Sequence, residues 1–232
     1  SLLEAFQNAK IIGSLLKIAD KNYKGLIEEL DKSLNIKSPD LLQLSFIQYE
    51  LPVIRRIAEI AVILRQKYDV LITNPPYLGI SKLEEEVKKY FISNYPDSKS
   101  DMFAMFMEAI PLKDNGIRAI VNPDSWMFLS SYEKLRKTLL ENTSVITLIH
   151  LGLGAFDATV QTVIAVFRNN NLIKYGIYYR LVDEKNKEAS FMNRDNQHIN
   201  CLDNYSRIPG TPIAYWNKNF EMFMFPRLGE GY

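Results

Sequence analysis

Asn74-Pro75-Pro76-Tyr77 follows directly on the apolar run Tyr68-Asp69-Val70-Leu71-Ile72-Thr73. Two consecutive prolines cannot continue a sheet, because proline lacks the ladder donor and fixes φ. The run is therefore read as a buried strand that ends at Asn74, with a stiff loop beyond it. That corner presents an amide oxygen from Asn74, a carbonyl oxygen from Pro75 and the ring of Tyr77. Two fixed acceptors suit an amine whose lone pair is delocalised into a ring. They would hold its two N–H groups and draw the nitrogen toward tetrahedral geometry. Acceptors aimed at developing charge are a common form of electrostatic catalysis. The aromatic ring beside them would support the heterocycle that bears the amine. No strong base is needed, because the proton leaves an amine that has already become cationic. The plainer reading of the same residues is a rigid strand-to-loop turn without chemistry.

The elements around this corner read as an α/β sheet. Residues 2 to 30 carry apolar positions at helical spacing, interrupted at Gly13. Ser38-Pro39-Asp40 reads as a helix start, with Ser38 as cap and Pro39 in the first turn. The pattern that follows, Leu41 to Lys67, contains Pro52 and should kink or split there. Arg55 and Arg56 fall on its solvated face. Lys82 to Ser93 is an amphipathic helix whose lysines are offset by Glu84, Glu85 and Glu86. Ser100-Asp101 caps a helix from Met102 to Lys113, which Asn115-Gly116 ends. Ile117–Val121, Val145–Leu151, Thr159–Phe167 and Ile173–Leu181 are the later strands, with a helix from Ser130-Ser131 between the first two. Residues 183 to 200 are polar and read as a loop, and the rest as an irregular tail. The expected organisation is a helical segment at 1–67, the sheet at 68–182 and the tail at 183–232.

Composition sets outer bounds. With 232 residues and 47% apolar content, the chain can bury a sizeable core, as one large domain with appendages. A net charge of +1 gives no global basic field for nucleic acid, although a local patch stays open. One cysteine, Cys201, excludes an internal disulfide and a cysteine zinc site. His150 and His198 are isolated and read as core or surface residues, so no metal is expected. No signal peptide or membrane span is visible, which points to the cytoplasm and to no membrane partner. The chain begins at Ser1 inside a helical pattern and ends at Tyr232 without a stop signal, so it is expected to be part of something longer.

The corner resembles the active-site loop of the amino-group DNA methyltransferases, whose Asn-Pro-Pro-Tyr form points to adenine. Other segments extend the resemblance. Ser100-Asp101-Met102-Phe103 is similar to the helix start near the cofactor, and Gly116 to Trp126 to the next strand and its exit. Leu151 to Phe167 is similar to a late hairpin. Asn74-Pro75-Pro76-Tyr77-Leu78-Gly79, Tyr95 to Asp101, Ser125 to Ser131 and Ala214-Tyr215-Trp216 bring the chain nearest to the PglX family of BREX phage-defence methyltransferases. Together these cover about residues 70 to 216. Single-chain restriction-modification methylases share the same core pattern.

The resemblance implies transfer of a methyl group from S-adenosylmethionine to the exocyclic amine of a flipped adenine in double-stranded DNA, with other defence-system proteins as possible partners. It implies that Asn74 and Pro75 hold the amine, Pro76 stiffens the corner, and Tyr77 and Phe156 stack on the two faces of the base. Asn74 and Asp101 would also face the cofactor. The competing readings are a helix cap for Asp101, a hairpin anchor for Phe156 and a core aromatic for Trp126. The family holds its cofactor with a glycine-rich turn after a first strand, and no Gly-x-Gly follows a strand before residue 74. Gly152-x-Gly154 lies beyond the corner and no helical pattern follows it. The implied fold is therefore a partial Rossmann-like methyltransferase sheet, its catalytic-loop half, with the main cofactor half and the target-recognition region elsewhere. This chain alone is expected to be inactive. The alternatives are a non-catalytic scaffold that keeps the loop, and a methyltransferase acting on a non-DNA amine.

Overall fold

Gly13 and Pro52 divide the first part of the chain into short helices. The computed structural model describes residues 2–34, 39–109, 111–155 and 159–217, in two units, Ser1–Lys67 and Tyr68–Tyr232. The first unit holds α1 (Leu2–Ala5), α2 (Ala9–Ile12), α3 (Tyr23–Ser33), α4 (Leu41–Ser45) and α5 (Leu51–Arg65). Gly13 has φ +58, a conformation that glycine reaches without cost, and it ends α2. The cap of α4 is Asp40, not Ser38, which lies outside the described residues. Asp40 accepts from the Gln43 amide at 2.7 Å, and Gln43 Oε1 accepts from the Asp40 amide at 3.1 Å. This reciprocal box satisfies two orphan donors and puts Pro39 ahead of the helix. Pro52 does split the long pattern. It sits in the first turn of α5, where no N–H is required, and a π-helical turn at Phe46–Glu50 absorbs the misfit. Arg55 does lie on the solvated side, and there it binds Asp31 at 2.7 Å and Glu59 at 2.5 Å and so links α3 to α5.

The second unit is built on six strands: β1 (Tyr68–Thr73), β2 (Leu112–Pro123), β3 (Ser144–Gly152), β4 (Thr162–Arg168), β5 (Tyr175–Arg180) and β6 (Gln197–Cys201). Their order is β1-β2-β4-β3-β5-β6. β1 and β2 are parallel, as are β3 and β5, while β4 and β6 run antiparallel to their neighbours. So β1, β2, β3 and β5 point the same way, and their carboxyl ends share one edge, where open α/β sheets bind ligands.

One face of this sheet is buried. Along β4, Val163, Ala165 and Phe167 alternate inward and meet Ile120, Leu148 and Tyr178. After α6 (Glu85–Asn94), Phe103, Ala104 and Met107 of α7 (Met102–Ala109) join the same cluster, with Leu135 and Leu139 of α8 (Glu133–Asn142) and Trp126. Each fully buried Leu or Phe contributes about 1.5–3 kcal/mol. The other face is different. Ile72, Ala119, Val166, Thr147, Ile177 and Ile199 are paired in register across all six strands. At the two edges this row is open, with Ile72 78% and Ile199 66% exposed.

Three sequence expectations are corrected here. β1 is not a buried strand but the sheet's edge, with Val70 and Ile72 exposed, because among the described residues it pairs only with β2. The helix from Met102 ends at Ala109, and Asn115-Gly116 lies inside β2. There the register jumps between Tyr68↔Leu112 and Val70↔Ile117, and Asn115 takes φ +65, so the turn-forming pair makes a bulge rather than a helix end. Residues 183–217 are not irregular: they hold α9 (Lys187–Met192), β6 and α10 (Asp203–Ser206).

Candidate functional site

β1 ends at Thr73, and the Pro-Pro pair turns the chain out of the sheet. Asn74 and Pro76 are exposed, Pro75 is buried and Tyr77 is half-buried. The loop beyond is clamped to the start of α7. Asp101 Oδ1 accepts from the Leu78 amide at 3.0 Å and the Phe103 amide at 3.2 Å, while Leu78 O accepts from the Met102 amide at 3.0 Å. Asp101 is thus at once the helix cap and the clasp of the loop. Tyr77 packs edge-on against Phe103, with ring centroids 6.2 Å apart. Its hydroxyl lies 3.3 Å from Asn74 Oδ1 and 3.3 Å from Val121 O. One proton serves two long contacts, so neither oxygen is strongly held. Burial pushes the Tyr77 phenol up, which keeps it neutral. The Pro75 carbonyl accepts no hydrogen bond among the described residues.

The structure therefore brings Asn74, Pro75, Pro76, Tyr77 and Asp101 together, with an exposed side-chain amide and an unengaged backbone carbonyl next to an aromatic ring. Phe156 lies outside the described residues. Trp126 is in the core.

Asp101 supports a prediction. Burial raises its pKa, against the opposing pull of the Phe103, Leu78 and Met102 amides and of Lys82. A raised carboxyl favours the protonated form in the fold. Its contribution to stability is therefore full below the unfolded value, near pH 4, and is lost as pH rises through the folded pKa. Asp101→Asn keeps an acceptor for both amides and removes the charge. It is expected to unfold within about 1 kcal/mol of the parent and to flatten this pH dependence, whereas Asp101→Ala should lose about 1–2 kcal/mol as a deleted cap. Equal losses in urea titrations of the two variants would contradict the clasp.

Two features escaped the sequence reading. Asn122, next to the Val121 carbonyl that Tyr77 approaches, is fully buried, and neither polar atom of its amide finds a partner among the described residues. A polar residue at the end of a core strand was the available signal. The second feature is a chain of side chains. His150 Nε2 lies 3.0 Å from Asp124 Oδ2, and its Nδ1 lies 3.1 Å from the Tyr215 hydroxyl. The pairing puts the Nε2 proton toward the carboxylate and lets Tyr215 donate to Nδ1. Beside it opens a cavity of about 320 Å³ lined by Asp124, Phe128, His150, Gln161, Arg180 and Trp216. No group of three or more potential metal ligands occurs among the described residues, and no helix there is long and apolar enough to cross a membrane.

Comparison with known proteins bears on this arrangement. The profile of the Eco57I restriction-modification methylase family matches residues 3–156. The chain is 40% identical over 225 residues to the adenine-specific methyltransferase BrxX of Escherichia coli O9:H4 (strain HS), covering 92% of this chain and 18% of that protein. It is 36% identical over 196 residues to the adenine-specific methyltransferase PglX of Lacticaseibacillus casei (strain Zhang), covering 77% of this chain and 16% of that protein. The chain thus spans less than a fifth of the length of these two relatives. Among solved structures it is similar to a type I restriction-modification methyltransferase subunit from Streptococcus thermophilus, at 16% identity and TM-score 0.44, over 68% of this chain and 44% of that one.

Proposed function

This chain belongs to the Eco57I restriction-modification methylase family, and from that premise we propose that it carries the amine-holding half of a DNA adenine methyltransferase of the BREX type. The observation that supports this most directly is the corner at the end of β1. The exposed Asn74 amide oxygen and the unengaged Pro75 carbonyl would take the two N–H groups of an adenine exocyclic amine. Tyr77 would lie against the ring of a base withdrawn from the duplex. The weak Tyr77–Asn74 contact of 3.3 Å is replaced by the amine when the base enters.

The family's methyl donor, S-adenosylmethionine, is not accommodated by the residues of this chain on their own. Among the described residues the segment before β1 contains helices and no strand, hence no strand followed by a glycine-rich turn. The β1 edge, which pairs only with β2 among the described residues, and the exposed Ile72 and Ile199 favour completion by further strands and helices, because open strand edges and exposed apolar side chains are normally covered. We therefore assign residues 68–182 to the catalytic-loop half and place the cofactor-holding half and target recognition in the rest of a longer protein. Double-stranded DNA is the proposed substrate, other defence-system proteins are the proposed partners, and the cytoplasm is the proposed compartment.

The test is an acceptor comparison. The complete protein is incubated with methyl-labelled S-adenosylmethionine and, separately, duplex DNA, free adenine and protein acceptors. Label should appear as N6-methyladenine in the duplex alone. Label in protein or free adenine would move the function to another amine, and no label in any acceptor would leave a scaffold that retains the loop.

A further inference from the structure

Asp124 directly follows β2, His150 lies near the end of β3, Arg180 ends β5, and Gln161 precedes the oppositely running β4. All four fall on the sheet edge that carries Asn74. They are not at Asn74, however. β1 and β3 are three positions apart in the sheet, and at about 4.8 Å per strand the cavity between these residues lies on the order of 14 Å from the amine-holding corner.

The walls of this cavity have a specific chemistry. Phe128 and Trp216 present rings whose centroids are 5.5 Å apart, inclined at 58°. The ring of His150 stands 6.5 Å from each of them. Asp124 has given Oδ2 to His150, which Tyr215 holds from the other side. Its Oδ1 makes no hydrogen bond among the described residues, nor does the side-chain amide of the exposed Gln161. Arg180 lies 5.9 Å over the Trp216 ring and is also paired to Asp183 at 2.5 Å. Flat apolar walls, an acceptor locked in place, an amide able both to donate and accept, and a cation at the mouth complement one ligand class in all four respects. A nucleotide has a ring to stack, N–H donors and ring-nitrogen or carbonyl acceptors on its edge, and a phosphate. The volume of about 320 Å³ is within the range for a small-ligand site.

We propose that this cavity binds one unstacked base of the DNA, distinct from the base whose amine Asn74 holds. The carboxylate of Asp124 and the amide of Gln161 read its edge, the adjoining rings of Trp216 and Phe128 form an apolar wall against its face, and Arg180 meets its phosphate. That the base comes from DNA rests on the function proposed above, whereas the nucleotide chemistry of the cavity does not.

The chain reports on this site itself. It has two tryptophans, of which Trp126 is buried and Trp216 is 38% exposed. Titration of the 232-residue chain with deoxyadenosine 5′-monophosphate should quench the exposed tryptophan saturably. Asp124→Asn should weaken binding about tenfold, as for loss of a hydrogen bond to a charged acceptor. Gln161→Ala, a surface change that leaves the fold intact, should weaken it by about threefold or more. Deoxyribose 5-phosphate should not compete. Absence of saturable quenching, or equal competition by the base-free sugar phosphate, would overturn the proposal. In the complete protein, Gln161→Ala should raise the KM for DNA with kcat unchanged, and a fall in kcat alone would also overturn it. Nucleotide binding without DNA methylation would remove the proposed function and leave the cavity assignment standing. Methylation without nucleotide binding here would do the reverse.

Discussion

Asn74→Ala in the complete protein is expected to lower kcat for DNA methylation by at least about a hundredfold, while the thermal midpoint stays within about 2 °C of the parent. Deleting one fixed hydrogen-bonding group that acts on developing charge typically costs that much. The effect should fall on kcat, because the amine nitrogen becomes tetrahedral and cationic only as the methyl group arrives, so its N–H groups bond most strongly in the transition state. Stability should hardly change. Asn74 is exposed, and the contact its side chain makes is the 3.3 Å approach of the Tyr77 hydroxyl. Asn74→Asp keeps an acceptor oxygen and should retain more activity than the alanine variant. Methylation within a few-fold of the parent in Asn74→Ala, measured as N6-methyladenine formed per turnover, would remove the amine-holding role.

The corner was legible from sequence because its causes are local. Two prolines after an apolar run dictate a strand end whatever lies around them, and the Asn and Tyr types motivate the proposed chemistry. The split at Pro52 and the break at Gly13 were legible for the same reason. What failed depends on partners distant in sequence. The apolar run of β1 says that side chains prefer burial, but whether Val70 and Ile72 are covered depends on what packs there. Asn115-Gly116 announces a tight turn, and only the pairing with β1 decides that the turn is a bulge within β2. β6 reads as polar loop because an edge strand need satisfy only one neighbour and can expose Ile199. The His150 pair joins residues 26 and 65 positions away, a spacing with no sequence signature. His150 could be called core or surface, but its partners could not be named.

Arg136 is where the second unit is expected to be most vulnerable. It is buried on α8, and its guanidinium donates to four backbone carbonyls. Nε reaches Gly210 O at 3.2 Å and Thr211 O at 3.1 Å, Nη1 reaches Trp126 O and Leu129 O at 2.7 Å each, and Nη2 reaches Gly210 O at 2.5 Å. No carboxylate hydrogen-bonds to it among the described residues, and burial pushes its pKa down. The cation is solvated by the chain itself, and in return it ties α8 to the segment after α10 and to the loop leaving β2. That loop begins at Asp124, and the tied segment leads through Ile213 to Tyr215 and Trp216, so Arg136 also fixes walls of the cavity. Arg136→Met keeps roughly the same volume and removes every donor. Four stranded carbonyls, at about 1 kcal/mol or more each, make the expected loss about 3–5 kcal/mol. Lysine should not rescue it, because one ammonium cannot fan out to four carbonyls as the planar fork does. Total stability of a domain is about 5–15 kcal/mol, so this single change should remove a large share of it. The buried Trp126, whose own carbonyl is one of the four acceptors, provides the emission signal for urea unfolding. A shift of less than about 1 kcal/mol in Arg136→Met would mean that water or a relaxed backbone satisfies these carbonyls, and the tie would then carry no weight.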